Sequence, residues 1–369
     1  MVRICWQGKR NRVEKKQKIK YKIIFDFMSI VFWGTPDFAT IILEKLIKKN
    51  YRPCLIVTAP DKPKGRHHLL SAPAVKKVAE KYKIPYLQPL EIKENKELKN
   101  KIMALKPDLF IVAAYGLIVP QELLNSPSKK AINIHPSLLP KYRGPSPIQT
   151  AILNGDEFSG VTLILMTEKM DAGPIIKYEK IKINPSTKRF VPSSVPRGLR
   201  APNYLELSNE LANLGADLLI KVLPDWLEGK IKPLPQAEGK ASYTKIIKKE
   251  DGLLDFNKSA EEIEKQIRAF YPWPSAYTKI PVNKKISAQS GSSLGGKNKI
   301  LKILEAEVLL TGENKKKGLI FQKEKEMAIT CSKNSLLLKK IQLEGKKEID
   351  GASFLNGHRY LIGTIISIN

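Results

Sequence analysis

Asn133, Ile134 and His135, followed by Pro136-Ser137-Leu138-Leu139-Pro140, bring an amide and an imidazole two residues apart. Asp171 comes thirty-six residues after His135, inside Met170-Asp171-Ala172-Gly173. An amide N–H can hold a developing oxyanion, an imidazole can take and return a proton, and a carboxylate can tune or orient the imidazole. The trio therefore suits acyl-type transfer to an amine. Each member also has a plainer reading. A histidine after a buried strand is often a hydrogen-bonded core residue, and Asp-x-Gly is a common turn. Only the combination points to chemistry.

These residues need a scaffold. Ser29–Phe32, Leu55–Thr58, Leu109–Ala114, Ala131–Ile134 and Val161–Met166 read as buried strands. Phe38–Lys49, Val75–Tyr82 and Tyr204–Leu223 read as helices. Buried strands alternating with amphipathic helices predict an α/β fold with a mostly parallel sheet, whose ligands sit beyond the carboxyl ends of the strands. Asn133 and His135 stand at such an end. Gly34 starts no Gly-x-Gly-x-x-Gly, so Thr35-Pro36-Asp37 reads as a turn and helix N-cap rather than a dinucleotide loop.

Lys230–Lys240 carries Pro and Gly and reads as a linker. Beyond it, Ala260–Phe270 predicts a helix, and Phe270-Tyr271-Pro272-Trp273-Pro274 reads as packing. Ile300–Val308, Gly318–Phe321, Met327–Thr330 and Ser335–Leu343 alternate like strands of a small β domain. Exposed loops are expected at Lys188–Arg200 and Ser287–Gly296, within 283–298, with a basic loop tip at Lys315–Lys317. The expected divisions are a basic extension at 1–27 outside the fold, a catalytic domain at 28–229, the linker at 230–240 and a second domain at 241–369.

The 369 residues suffice for two cores. A net charge of +28 favours polyanions, foremost nucleic acid. Residues 1–27 carry 9 basic and 2 acidic groups and no signal-peptide apolar core, so they read as foreign to the rest of the chain. Cys5, Cys54 and Cys331 are odd in number and form no Cys-x-x-Cys. With His67, His68, His135 and His358 dispersed, neither a disulfide framework nor a metal site is expected. The longest apolar run, Leu109–Val119, has 11 residues. A membrane span needs roughly 20. A cytoplasmic protein without membrane contact is expected, and a monomer.

The stretch Asn133–Pro140, Lys141-Tyr142-Arg143-Gly144 and Met170–Gly173 together resemble the folate-dependent formyltransferase family. The other motifs look most like its members acting on methionyl-tRNA. These are Ile30-Val-Phe-Trp-Gly34-Thr-Pro-Asp-Phe38-Ala, Pro60-Asp-Lys-Pro-Lys-Gly65-Arg66, and Gln266-Ile-Arg268-Ala-Phe270-Tyr-Pro272-Trp273-Pro274. The resemblance runs from about Met28 to about Gly363. It implies a Rossmann-like catalytic domain followed by a small OB-like β-barrel that binds tRNA. It also implies transfer of a formyl group from 10-formyltetrahydrofolate to the amine of initiator methionyl-tRNA, without a metal. Asn133 would donate to the oxyanion, His135 would stabilise it as an imidazolium or shuttle the proton, and Asp171 would assist His135. Tyr115, Gly116, Leu117 and Ile118, with Ser137, Leu138, Leu139 and Pro140, would line the folate pocket. Arg66, Lys62, Lys64 and Arg268 would face tRNA, Arg143 would contact a tRNA phosphate or anchor its loop, and Gly34–Phe38 would face the aminoacyl side. His67-His68-Leu69-Leu70 and the stretch at 188–200 depart from the family pattern. A formyltransferase for a small amine such as glycinamide ribonucleotide, or a silent tRNA-binding protein, are the alternatives.

Overall fold

Residues 28–64, 69–183, 201–281, 298–314 and 316–366 are described by the computed structural model. The extension at 1–27, Arg66 and the loops at 188–200 and 283–297 lie outside the described residues, as does Lys315. The first strands are β1 (Ile30–Gly34), β2 (Leu55–Val57), β3 (Lys62–Lys64), β4 (Leu69–Ser71), β5 (Tyr86–Leu87), β6 (Leu109–Ala113), β7 (Ala131–His135), β8 (Phe158–Leu165) and β9 (Ile175–Lys182). Seven of them form one sheet in the order β5-β2-β1-β6-β7-β8-β9. The first five are parallel, whereas β8 runs antiparallel to β7. β1 and β6 are buried along their whole length, which is why they read as continuous apolar runs without alternation. Val31, Trp33, Val57, Phe110 and Val112 supply the core on one face.

The helices that alternate with these strands are α1 (Asp37–Lys48), α2 (Ala74–Lys81), α3 (Lys96–Ala104), α4 (Gln121–Leu124), α5 (Pro147–Asn154) and α6 (Tyr204–Leu227). α6 runs past the expected Leu223 and contains Pro224. The expected side-chain N-cap before α1 is absent: Pro36 occupies that position and makes no capping hydrogen bond. The Thr35 hydroxyl is used elsewhere, donating to the Tyr115 carbonyl (3.1 Å) and accepting from the Ala59 N–H (3.4 Å). It thus ties together the loops that follow β1, β2 and β6.

Two short strands replace part of the expected Pro60–Ala72 loop. β3 and β4 form an antiparallel hairpin of their own, with Pro63 opposite Leu70. A two-stranded ribbon consists only of edges, where a missing proline N–H is tolerated.

Further along, α7 (Ala260–Phe270) starts with a capping box between Ser259 and Glu262. The strands β10 (Ala276–Ile280), β11 (Lys299–Glu313), β12 (Ile320–Lys323), β13 (Glu326–Thr330), β14 (Lys333–Leu343) and β15 (Glu348–Asp350) precede α8 (Gly351–Gly357). They form an antiparallel sheet ordered β10-β11-β14-β13-β12, with β15 paired to β14. Ile263 and Ile267 of α7 share a core with Leu301, Ile303, Leu338 and Ile341 of that sheet. The expected packing of Phe270–Pro274 holds for Phe270 and Pro274, which are buried, and not for Trp273, which is 58% exposed.

The chain divides into two compact units. One comprises residues up to Pro145, Gly160–Lys180 and Ser208–Tyr243; the other comprises Ser146–Ser159, Ile181–Leu207 and Thr244 onward. The second unit therefore includes α5 as well as the antiparallel sheet. A Rossmann-like domain with a mostly parallel sheet and a later antiparallel domain is the fold class expected from the sequence.

Candidate active site

Side chains alternate between faces along a strand, so residues two apart share one. Asn133 and His135 accordingly project from the same face at the end of β7. Opposite them on β8, Thr162 is in register with His135. Asp171 comes from the turn between β8 and β9 and reaches both. Its Oδ1 accepts from Asn133 Nδ2 at 3.3 Å and lies 3.5 Å from His135 Nδ1. Its Oδ2 accepts from the Gly144 N–H at 2.8 Å. The three residues singled out for chemistry form one cluster.

The His135 ring is only 4% exposed, and its Nε2 is 2.9 Å from the Tyr142 carbonyl. A carbonyl only accepts, so Nε2 carries a hydrogen. Nδ1 is then the nitrogen that exchanges a proton, and it faces Asp171. The Asn133 amide has two hydrogens. One is directed at Asp171, and an amide with a second hydrogen can also donate to a developing oxyanion.

The turn carrying Asp171 has an unusual backbone. Asp171 itself has φ 49°, in the left-handed region. A Cβ on Gly173 would fall 1.7 Å from the Leu165 carbonyl oxygen, so that position admits only glycine as built. Gln236 holds the turn: its Nε2 donates to the Asp171 carbonyl (2.7 Å) and the Gly173 carbonyl (2.8 Å).

The loop after β7 is braced inward. Ser137 Oγ donates to the Lys141 carbonyl (2.6 Å), and Thr162 Oγ1 donates to the Ser137 carbonyl (2.7 Å) and accepts from the Leu139 N–H (3.1 Å). Leu138 lies against Gly160, and the Pro140 carbonyl accepts from the Ser242 N–H. Ser137 and Leu139 are buried. Of the other expected folate contacts, Tyr115 is also buried, its ring edge-on to Trp33 at 5.2 Å, and burial pushes its hydroxyl pKa up. Gly116 has φ 85°, and the next two residues, Leu117 and Ile118, present exposed apolar side chains.

Arg143 was read as a tRNA phosphate contact or a loop anchor; at 1% exposed it fits the anchor, which corrects the phosphate contact. Its guanidinium donates twice to Gln236 Oε1 (3.1 and 2.9 Å) and twice to the Glu238 carboxylate (3.0 and 2.7 Å). It also lies 5.8 Å from the centre of the Tyr243 ring. Such a pattern spends the group on internal anchoring. Arg268 is similarly committed, donating to Glu264 (2.6 Å) and to the Pro202 carbonyl (3.0 Å). Lys62 is exposed on the β3–β4 hairpin, and Lys64 belongs to its β3 strand.

Lys62 also borders an open cleft of about 600 Å³, with Thr35, Asp37, Thr40, Ser71 and Lys77 among its other walls. None of Asn133, His135 and Asp171 lines it.

Gln236, Glu238 and Ser242 were missed by the sequence reading, which took 230–240 for a linker. A Gln and a Glu among prolines and glycines carry no local signal of an internal partner; the Arg143 they hold lies more than ninety residues upstream. Among the described residues no group of His, Cys, Asp and Glu could hold a metal ion, and no helix is long and apolar enough to cross a membrane.

The sequence also matches known protein families. The formyl transferase domain matches residues 28–190, and the formyl transferase C-terminal domain matches 246–359. The methionyl-tRNA formyltransferase of Bacillus subtilis (strain 168) is 38% identical over 342 residues, covering 92% of this chain and 98% of the relative. Among solved structures, the N-formyltransferase from Helicobacter canadensis in complex with folinic acid and dTDP-3-aminofucose superposes with a TM-score of 0.56. It is 20% identical, over 85% of this chain and 99% of that one. HypX from Aquifex aeolicus in complex with tetrahydrofolic acid gives 0.54 at 17% identity, over 89% of this chain and 47% of that one. At such identities these two likenesses bear on fold alone. With both domains matched in order and nearly the full length of a curated relative aligned, the chain belongs to the methionyl-tRNA formyltransferase family.

Proposed function

We infer that this chain transfers the formyl group of 10-formyltetrahydrofolate to the free amine of methionyl-tRNA. The observation that carries the reading is the shared Asp171 Oδ1, which lies within 3.5 Å of both Asn133 Nδ2 and His135 Nδ1. The family likeness supports the acceptor and the formyl transfer.

In the reaction the formyl carbon arrives already activated on a folate nitrogen. The amine of the aminoacyl group attacks it, and the carbonyl oxygen becomes an oxyanion. Asn133 donates its remaining amide hydrogen there, because its other hydrogen is directed at Asp171. When the carbon–nitrogen bond to folate breaks, the departing nitrogen takes a proton and the attacking amine loses one. His135 exchanges protons through Nδ1, since Nε2–H is bound to the Tyr142 carbonyl. A proton on Nδ1 either faces the oxyanion or moves to the leaving nitrogen, with Asp171 beside it in both cases. Leu117 and Ile118 offer apolar side chains that suit a flat heterocycle. Residues 28–229 are the catalytic portion in this reading, and 241–369 the tRNA-binding portion, with Lys62, Lys64, Arg66 and the surface lysines supplying phosphate contacts.

Labelled 10-formyltetrahydrofolate offered with methionyl-tRNA and glycinamide ribonucleotide side by side tests this. Label is expected in the tRNA fraction alone. Label in the small amine would replace the acceptor, and label in neither would end the proposal.

A further inference from the structure

Three consecutive residues each hold a different part of the catalytic cluster. The Tyr142 carbonyl accepts from His135 Nε2, and the Gly144 N–H donates to Asp171 Oδ2. Between them, the Arg143 side chain holds Gln236, whose Nε2 donates to the Asp171 and Gly173 carbonyls. The tripeptide is itself fixed from outside: Ser242 Oγ accepts from the Tyr142 N–H (2.9 Å), and the Ser242 carbonyl accepts from the Arg143 N–H (2.8 Å). Tyr142 and Gly144 both have positive φ, 66° and 110°. These conformations are rare for a tyrosine. The segment is therefore shaped by its partners rather than by local preference.

Within this frame Gln236 has a defined task. Asp171 sits in the left-handed region, and two carbonyls of its turn point at one amide nitrogen. The other end of that amide accepts from two nitrogens of a buried guanidinium, which fixes which end is oxygen and which is nitrogen. Glu238 neutralises the guanidinium from its far side.

We propose that Gln236 is a positioning residue for formyl transfer: locked by Arg143, it sets the turn that aims Asp171 at Asn133 and His135. The proposal rests on the catalytic reading given above. It assigns Gln236 no contact with substrate, so its effect passes entirely through the placement of Asp171.

Gln236→Glu is the discriminating change. It keeps an acceptor oxygen for the two Arg143 donors but loses both N–H bonds to the turn and sets a carboxylate oxygen against two carbonyls. The measurements are kcat and KM for methionyl-tRNA, tRNA affinity and thermal melting, in the full chain and again in an Asp171→Asn background. The expected result is a fall in kcat on the order of 10²-fold, as a misplacement near 1 Å can cause. KM and tRNA affinity should stay near wild type, and a single cooperative melt should show that the variant is folded. In the Asp171→Asn background the same change should alter the residual rate by less than about threefold, because contacting residues acting through one group are not additive. Gln236→Ala, which deletes the donors without adding charge, repeats the test should the Glu variant not fold. A normal kcat in a folded Gln236 variant, while Asp171→Asn is crippled, overturns the proposal and leaves the catalytic reading standing. So does an equal loss in both backgrounds. A normal rate in Asp171→Asn itself overturns both.

Discussion

At the scale of single residues, the chemistry depends on how each hydrogen of Asn133 and His135 is committed. Removing one oxyanion donor typically costs ~2.7–4 kcal/mol of barrier, or 10²–10³ in kcat. Asn133→Ala should lose about that factor, and His135→Ala at least as much, while tRNA affinity measured by filter binding stays unchanged. Near-wild-type turnover in either variant would remove it from the mechanism. The Arg143–Glu238 pair makes a second prediction. Its hydrogen bond with Arg143 holds the Glu238 carboxyl below its ordinary value of 4.5. A depressed folded value means the pair stabilises fully above pH about 4.5 and loses its contribution as pH falls through that lower value. Melting curves of wild type and Glu238→Gln should differ at pH 7 and converge towards pH 3. The gap should be small and shrink with salt, because the Glu238 side chain is 68% exposed. A gap independent of pH would mean the carboxylate charge is irrelevant there. The same residues show where a sequence can mislead. Asn133, His135 and Asp171 were readable because each has a type suited to the reaction and stands at an expected strand end or turn. Arg143 left two readings open, phosphate contact and loop anchor, since an arginine in a loop is usually solvated and its burial depends on Gln236 and Glu238 far downstream.

At the scale of elements, the parallel strands were readable from composition: β1 and β6 are buried along their whole length and so read as unbroken apolar runs. The hairpin at 62–71 was not, because Pro63 argues against a strand unless the strand is an edge. The segment 230–243 shows the converse. Its prolines and glycines suggested a linker, yet it pairs with the rest of the first unit through bridges from Leu234 to Ile175 and from Tyr243 to Arg143. Short irregular stretches of this kind are held by side chains, and single-sequence periodicity carries no record of such contacts. The turn between β8 and β9 offers a test at this scale. Gly173→Ala would drive a methyl into the Leu165 carbonyl, so either β8 or the turn must move. A loss of ~1–3 kcal/mol in urea unfolding is expected, in the range of overpacked sites. Turnover should fall further than stability does, since Asp171 is two residues away. Unchanged unfolding and unchanged kcat together would show that the turn adapts freely.

At the scale of the whole molecule, charge is the property that the sequence showed most directly. A net +28 spread over the chain gives a field that attracts a polyanion before any specific contact forms. The family assignment gives this field a partner, and thermodynamics gives it a measurable signature. Each phosphate neutralised releases counterions, so log affinity falls with log salt at roughly −0.7 to −0.9 per contact. If about six phosphates are engaged, tRNA affinity should drop ~10³-fold between 50 and 200 mM salt. KM for methionyl-tRNA should follow, whereas KM for 10-formyltetrahydrofolate, which carries few charges, should change far less. Lys62→Ala on the exposed hairpin should flatten the tRNA slope by about one contact and leave the folate KM alone. Arg143→Ala should act in the opposite way. With its guanidinium inside the protein, it should lower kcat and Tm while leaving the slope as in wild type. Equal slopes for both substrates, or a slope that changes with Arg143 and not with Lys62, would mean that the positive field serves something other than tRNA capture.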